Sequence, residues 1–269
     1  MVSGLNRLYR LLLTLAMFVL FMVWSFALNL TLFPLIYLSP AARLRKQAWS
    51  LTVIHRCFRL FGPLAVALGG MRSFQVVGRE NLAEVGPCLL IANHPTLIDI
   101  VNLMGAVPHC GCVVKRGLWW NPVTAVAVRA AGLIPNNHPE ALLANCRAGF
   151  EAGRSLVIFP EGTRSPHGGL RPFTRGAAQI ALRCDVPIVP VVITCDPPTL
   201  TKEEPWYRIP HRAIDFRIEI GRPVTIPPEV TNCEGYPLQV RALTKLLQAE
   251  YEQRLGIGQR AQGAEAAAS

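Results

Sequence analysis

Between Leu11 and Leu38 the chain runs for 28 residues without a formal charge. About 20 apolar residues suffice to cross a bilayer core, so this run dictates contact with lipid or deep burial. A signal peptide has a shorter apolar stretch closed by small residues. Here the stretch continues through Phe33, Leu35, Ile36 and Tyr37, so a retained anchor is expected. Asn29 and Pro34 interrupt it, and proline removes a donor and crowds the preceding helical turn. Arg7 and Arg10 precede the run; Arg43, Arg45 and Lys46 follow it. A spanning helix carries its basic excess on one side. Balanced flanks fit instead a re-entrant helical hairpin with both ends cytoplasmic. From Trp49 to Leu68, Arg56 and Arg59 lie among apolar residues, which reads as a second, interfacial helix. Residues 1–70 are therefore expected to be membrane-anchoring helices.

The remainder alternates short apolar runs with helical periodicity. Ser73–Gly78 alternates and is β-branched, while Cys88–Ala92, Cys112–Val114, Ser155–Phe159 and Pro187–Thr194 are the short apolar runs of strands covered on both faces. Ile214–Ile220 alternates as a more exposed strand. Helices are expected from Asn121-Pro122 to Gly132, from Asn137-His138-Pro139 to about Ala152, over Thr174–Arg183 and from about Leu238 to Arg254. This order predicts an α/β fold over residues 71–255, with a layered mixed or parallel sheet flanked by helices and an N-terminal helical membrane anchor. The Gly-, Gln- and Ala-rich residues 256–269 are expected to be disordered.

The chain carries 27 basic and 17 acidic residues, net +10. Nucleic acid and an anionic membrane surface are the two partners such charge favours. With a lipid anchor, and without zinc-finger spacing or a nucleic-acid motif, the membrane is expected and nucleic acid is not. Eight cysteines are scattered from Cys57 to Cys233. His109, Cys110 and Cys112 have no downstream pair to complete a zinc site, so no metal is expected and buried free thiols are.

Two polar blocks each follow an apolar strand. The first is Asn93-His94-Pro95-Thr96-Leu97-Ile98-Asp99. On one ideal helix, His94 and Asp99 sit about 140° apart and share no face. If His94 lies in the loop and Asp99 in the first turn, the carboxylate reaches back and fixes the tautomer, leaving the other nitrogen as a general base. The plain alternative is a loop histidine beside an acidic residue favoured by the helix dipole. The second block is Phe159-Pro160-Glu161-Gly162-Thr163-Arg164-Ser165. Arg164 suits a phosphate or carboxylate, with Thr163 and Ser165 as hydroxyl donors; a turn with surface charges is its plain alternative. There is no G-x-S-x-G elbow, Walker A loop or G-x-G-x-x-G loop.

Together the blocks resemble the glycerolipid acyltransferase family, whose familiar members are bacterial 1-acylglycerol-3-phosphate acyltransferases. Asn93–Asp99 resembles its NH-x4-D block and Phe159–Ser165 its FPEGTRS block. Val186–Ile193 is similar to its apolar fourth block. Gly78–Leu82, Lys115 and Phe173–Gly176 add to the likeness, which covers about residues 70 to 225.

The resemblance implies an O-acyltransferase without a cofactor. His94 would deprotonate the acceptor hydroxyl, oriented by Asp99, for direct attack on the thioester of acyl-CoA or acyl-carrier protein. Asn93, Thr96, Lys115, Glu161, Gly162, Thr163, Arg164 and Ser165 would bind substrate, and backbone N–H groups near the helix start would hold the oxyanion. The acceptor would be a lysophospholipid, foremost 1-acylglycerol-3-phosphate giving phosphatidic acid. The setting would be the inner membrane, with the site facing the cytosol.

One block departs from the family pattern. Its second block ends in an acidic–basic pair, where this chain has Gly132-Leu133-Ile134-Pro135-Asn136-Asn137. A lyso-ornithine lipid, or the lipid head of a pigment, is the alternative acceptor. A non-catalytic lipid-binding scaffold is the alternative of another class, against which the intact His94–Asp99 pair argues; thioester hydrolysis is a side reaction. Trp119-Trp120 fits an acyl channel, a membrane interface or ordinary packing.

Overall fold

The computed structural model describes residues 2–121, 124–136 and 138–257. The apolar run forms α1 (Val2–Leu30), breaks at the single residue Thr31, and continues as α2 (Leu32–Leu38). It does not fold back within itself. Thr31 still donates its amide to Ala27 O and accepts that of Leu35, so one turn is loosened without reversing the chain. Pro34 is the third residue of α2, where its missing N–H leaves no bond unmade.

Reversal comes later, over Ser39–Ala42, into α3 (Arg43–Arg59) and α4 (Phe61–Ala67). The second helix thus starts at Arg43 rather than near Trp49, and Arg43, Arg45 and Lys46 are helical rather than a flanking loop. Lys46 is held by Tyr37, donating Nζ to its carbonyl at 2.6 Å and lying 5.7 Å over its ring. The two arms run side by side: Tyr9 Oη donates to Leu68 O, Phe21 meets Phe58, and Trp24 Nε1 lies 3.3 Å from Cys57 Sγ.

Nor does α3 simply rest at a membrane surface. Gln47, Ser50, Leu51 and Ile54 recur at helical spacing and are buried. They turn inward onto α5 (Asp99–Ala106). Gly105 makes the contact possible: a Cβ there would stand 2.6 Å from the Phe58 carbonyl carbon. His55 Nδ1, 2.9 Å from Met104 O, ties the same two helices.

Seven strands form one mixed sheet: β1 (Met71–Val77), β2 (Leu89–Ala92), β3 (Cys110–Val114), β4 (Ile134–Pro135), β5 (Ser155–Ile158), β6 (Ile188–Asp196) and β7 (Ile214–Ile220). Their spatial order is β1-β7-β6-β2-β5-β3-β4. Strands β6, β2, β5, β3 and β4 are mutually parallel; β7 pairs antiparallel to β6, and β1 runs parallel to β7. Helices α6 (Ala125–Ala130), α7 (Pro139–Glu151), α8 (Gly176–Cys184), α9 (Pro228–Thr231) and α10 (Tyr236–Arg254) complete the chain. Helix α6 is shorter than its apolar pattern implied, and the expected starts at Pro122 and Asn137 lie outside the described residues, as does 258–269.

Strand alternation divides the core. Cys88, just before β2, and Leu90 and Ala92 on it face the side that includes Phe33, Leu51 and Ile54, whereas Leu89 and Ile91 face Phe150, Ile180 and Leu247. Strand β7 is less exposed than expected: Ile214, Phe216, Ile218 and Ile220 are buried and only alternate residues reach water. Cys110 and Cys112 are buried, and burial pushes the Cys112 thiol up to about 12.

Pro190 sits in β6, an interior strand, where its missing N–H opens the ladder opposite Ile91. Tyr251 of α10 fills the gap. Its fully buried hydroxyl donates to Ile91 O and accepts the Val191 amide at 2.9 Å. Tyr251→Phe leaves both backbone groups buried without a partner and is expected to destabilise the chain by about 1–3 kcal/mol. Chemical denaturation with an unchanged m-value checks it; an unaltered midpoint would show that the hydroxyl bridges nothing.

Candidate functional site

Because β2 and β5 are parallel neighbours, both polar blocks leave the sheet at the same edge, side by side. Lys115 follows β3, the next strand over, and is exposed at that edge.

His94 lies in the loop after β2 and Asp99 is the first residue of α5. The His94 Nδ1–Asp99 Oδ2 distance is 2.7 Å. The imidazole stacks on Phe159, ring centroids 4.2 Å apart and planes 22° from parallel. The side chain keeps 19% exposure, and among the described residues no hydrogen bond holds Nε2. Asp99 is wholly buried. It receives the Thr96 amide at 2.7 Å on Oδ2 and the Thr96 hydroxyl on Oδ1. Burial drives the Asp99 carboxyl above its usual range, while the bonds from His94 and Thr96 pull the other way. With Nδ1 donating to this carboxylate, Nε2 is the lone-pair nitrogen and can take a proton from a nearby hydroxyl.

The second block locks the first in place. Glu161 Oε1 accepts Ser165 Oγ at 2.5 Å and the His94 amide at 3.3 Å, and Oε2 accepts the Arg171 amide at 2.8 Å. Ser165 N donates to His94 O at 2.7 Å, and Ser165 Oγ accepts the His94 amide at 3.1 Å. Gly162, with φ +68, is exposed, so conformation rather than space favours glycine there. Arg164 Nη1 donates to Leu200 O at 2.8 Å and Thr201 O at 2.7 Å.

Several residues read as substrate contacts have another duty here. Asn93 is buried with its amide spent on β6: Nδ2 donates to Ile193 O and Oδ1 accepts the Ile193 amide. Thr96 and Ser165 hold Asp99 and the His94 backbone. Glu161 is a buried staple, and Thr163 is half-buried. The helix-start amides of Thr96, Leu97 and Ile98 are occupied by Asp99 Oδ2, Leu200 O and Thr96 Oγ1. Among the described residues, those of Thr163 and Arg164 have no hydrogen bond.

Two participants escaped the sequence reading. Arg171 bonds Glu161 through its amide and Arg164 O through Nε at 3.2 Å. Leu200, at φ +52, turns its carbonyl to both Leu97 and Arg164. An arginine shortly after the second block was a readable signal for Arg171; a left-handed leucine leaves none.

A parallel α/β edge bearing a His–Asp dyad beside an arginine loop, without a serine or cysteine nucleophile in the dyad, defines a class suited to general-base transfer. A family model described as Acyltransferase matches residues 73–194. Over 132 residues the chain is 33% identical to human 1-acyl-sn-glycerol-3-phosphate acyltransferase beta, covering 46% of each protein. It is 33% identical over 124 residues to the chloroplastic enzyme BAT2 of Brassica napus, covering 44% of this chain and 36% of that protein. Against the mouse alpha enzyme it is 29% identical over 171 residues, covering 58% and 57%. The chain therefore spans from about a third to somewhat over half of the length of these relatives. The crystal structure titled 1-acyl-sn-glycerophosphate (LPA) acyltransferase, PlsC, from Thermotoga maritima shares the fold, with TM-score 0.63 and 22% identity over 92% of this chain and 97% of that one. The segment matched by the Acyltransferase model, residues 73–194, contains both polar blocks.

Thr96→Val removes the donor to Asp99 Oδ1 within a sealed site. It is expected to destabilise the protein by roughly 1.5–3 kcal/mol, with Thr96→Ser restoring most of the loss. Thermal unfolding of the three proteins checks it; equal midpoints would mean that the carboxylate does not depend on this hydroxyl.

Proposed function

We propose that the chain transfers a fatty acyl group from acyl-CoA or acyl-carrier protein to the hydroxyl of a lysophospholipid, foremost 1-acylglycerol-3-phosphate, giving phosphatidic acid. The observation that carries this reading is His94, held through Nδ1 by buried Asp99 with Nε2 unbonded among the described residues.

In this mechanism Nε2 takes the acceptor hydroxyl proton as the oxygen attacks the thioester carbonyl. The C–O bond forms, the tetrahedral oxyanion collapses, and the C–S bond breaks. The leaving thiolate takes the proton back from the imidazolium, so no acyl-enzyme intermediate forms. The unbonded amides of Thr163 and Arg164 are candidate donors to the oxyanion or the acceptor phosphate, with the remaining Arg164 N–H groups and Lys115 supplying positive charge. Asn136 is exposed where the family pattern has charge. That favours a second reading, the same chemistry on a lipid acceptor with a different head.

Residues 1–70 serve in this reading as the anchor and 71–255 as the catalytic domain. Among the described residues one helical stretch, Gly4–Leu38, is long and apolar enough to cross a membrane. Yet α1 lies against the rest of the chain from Tyr9 to Asn29, whose Oδ1 accepts the Ala127 amide at 2.7 Å. That is about 30 Å of helix. A helix so engaged along its length fits insertion in the plane of one leaflet, with Leu12, Val19, Val23 and Phe26 exposed to lipid. In this arrangement the protein sits at the inner membrane and the site faces the cytosol.

Purified full-length protein in detergent, offered labelled acyl-CoA or acyl-carrier protein with lysophosphatidic acid and a panel of other lyso-lipids, tests the proposal. Phosphatidic acid should form, and His94→Ala should lose on the order of 10²–10⁴-fold in rate. Acylation of another acceptor only would transfer the assignment to that lipid. No acylation from either donor would leave a lipid-binding scaffold.

A further inference from the structure

A second polar feature lies away from His94. Arg43 at the start of α3, Arg129 of α6 and Arg154 line one cavity of about 210 Å³, together with Gln47, Trp119 and Asn145. No carboxylate lines it among the described residues. Arg154 precedes β5, while Phe159, against His94, follows that strand. At about 3.3 Å per residue the two ends lie roughly 16 Å apart.

The cavity is built, not merely charged. Arg154 is only 9% exposed, and its Nε has no hydrogen-bond partner. Trp119 Nε1 is likewise buried without a partner. Burial, with Arg43 nearby, pulls the Arg154 guanidinium below its ordinary range. Arg129 is held in place, donating to Trp119 O at 2.8 Å and lying 4.9 Å over the Trp120 ring. Three arginines round one cavity repel each other. One multivalent oxyanion answers that cost, and guanidinium forks match phosphate oxygens. Exposed apolar side chains lie nearby in the chain: Leu44 follows Arg43 and lines the cavity, Leu118 and Trp120 flank Trp119, and α2, with exposed Tyr37 and Leu38, precedes Arg43. Basic pockets beside membrane-embedded helices suit the phosphate of an anionic lipid.

We infer that the cavity between α3, α6 and Arg154 is a binding site for a phosphate group, that of an anionic phospholipid at the membrane surface, separate from the His94 site. It would seat the hairpin and the β4 edge against negatively charged lipid.

The test is a titration of the detergent-solubilised full chain, read by thermal shift, with dihexanoyl phosphatidic acid, inorganic phosphate or dihexanoyl phosphatidylcholine. Phosphatidic acid should raise the midpoint of wild type and of Arg164→Ala alike. Arg43→Ala and Arg129→Gln should each weaken it at least about tenfold, the loss of one charge-assisted contact. These two rim residues are exposed, so the test holds even if Arg154→Gln does not fold. Stabilisation by phosphatidic acid alone assigns a lipid; an equal effect of inorganic phosphate assigns the phosphate group without its lipid. The inference is overturned if phosphatidylcholine does as well, or if both rim variants bind unchanged. It also fails if the shift vanishes in Arg164→Ala, since the ligand then occupies the catalytic edge.

Discussion

The parallel pairing of β2 with β5 is the constraint on which the site depends. Leu89, Leu90 and Ile91 pair with Leu156, Val157 and Ile158, so two loops 67 residues apart in sequence leave the sheet together. The link then becomes polar: Glu161 and Ser165 grip the His94 backbone from across the edge. These groups are largely removed from water, so their bonds are worth more than surface contacts, and a missing partner would cost correspondingly more. A loop histidine is thereby given a fixed position.

Asp99 carries the harder electrostatic burden. A carboxylate with no exposure is costly unless its oxygens are filled, and Thr96 and His94 fill them. Position follows from the helix start: Asp99 opens α5, where a negative charge is favoured by the dipole and the backbone can bend back toward the loop. The interval of five residues is thus compatible with contact because the two residues do not share a helix.

The same α5 joins the site to the hairpin. Its Gly105 lets α3 approach backbone to backbone, and Phe33, Leu51 and Ile54 enter the core that also holds Leu90 and Ala92 of β2. The N-terminal helices and the site are therefore parts of one packed unit, which sets α1 at a fixed offset from His94. The basic cavity at the β4 edge lies where that hairpin turns back onto the domain.

By itself the sequence determined the alternation of elements, the two strand-end blocks and the apolar run. These are local facts, fixed by periodicity, β-branched runs and charge spacing. It also limited where His94 and Asp99 could meet, since five residues exclude a shared helical face. Tertiary structure alone decided that Asn93 spends its amide on β6, that Glu161 and Thr96 support the dyad, and that Leu200 closes on Arg164. A polar side chain in a motif reads equally well as a ligand contact or as an internal brace. Only its partners distinguish the two, and for Arg164, Asn93 and the Glu161–His94 contact these come from 36, 100 and 67 residues away. The path of the apolar run was decided in the same way: its length permits a span, but the contacts of Tyr9, Phe21 and Asn29 lay the helix along the domain. Burial is a property of neighbours, and for these residues the neighbours are distant in the chain.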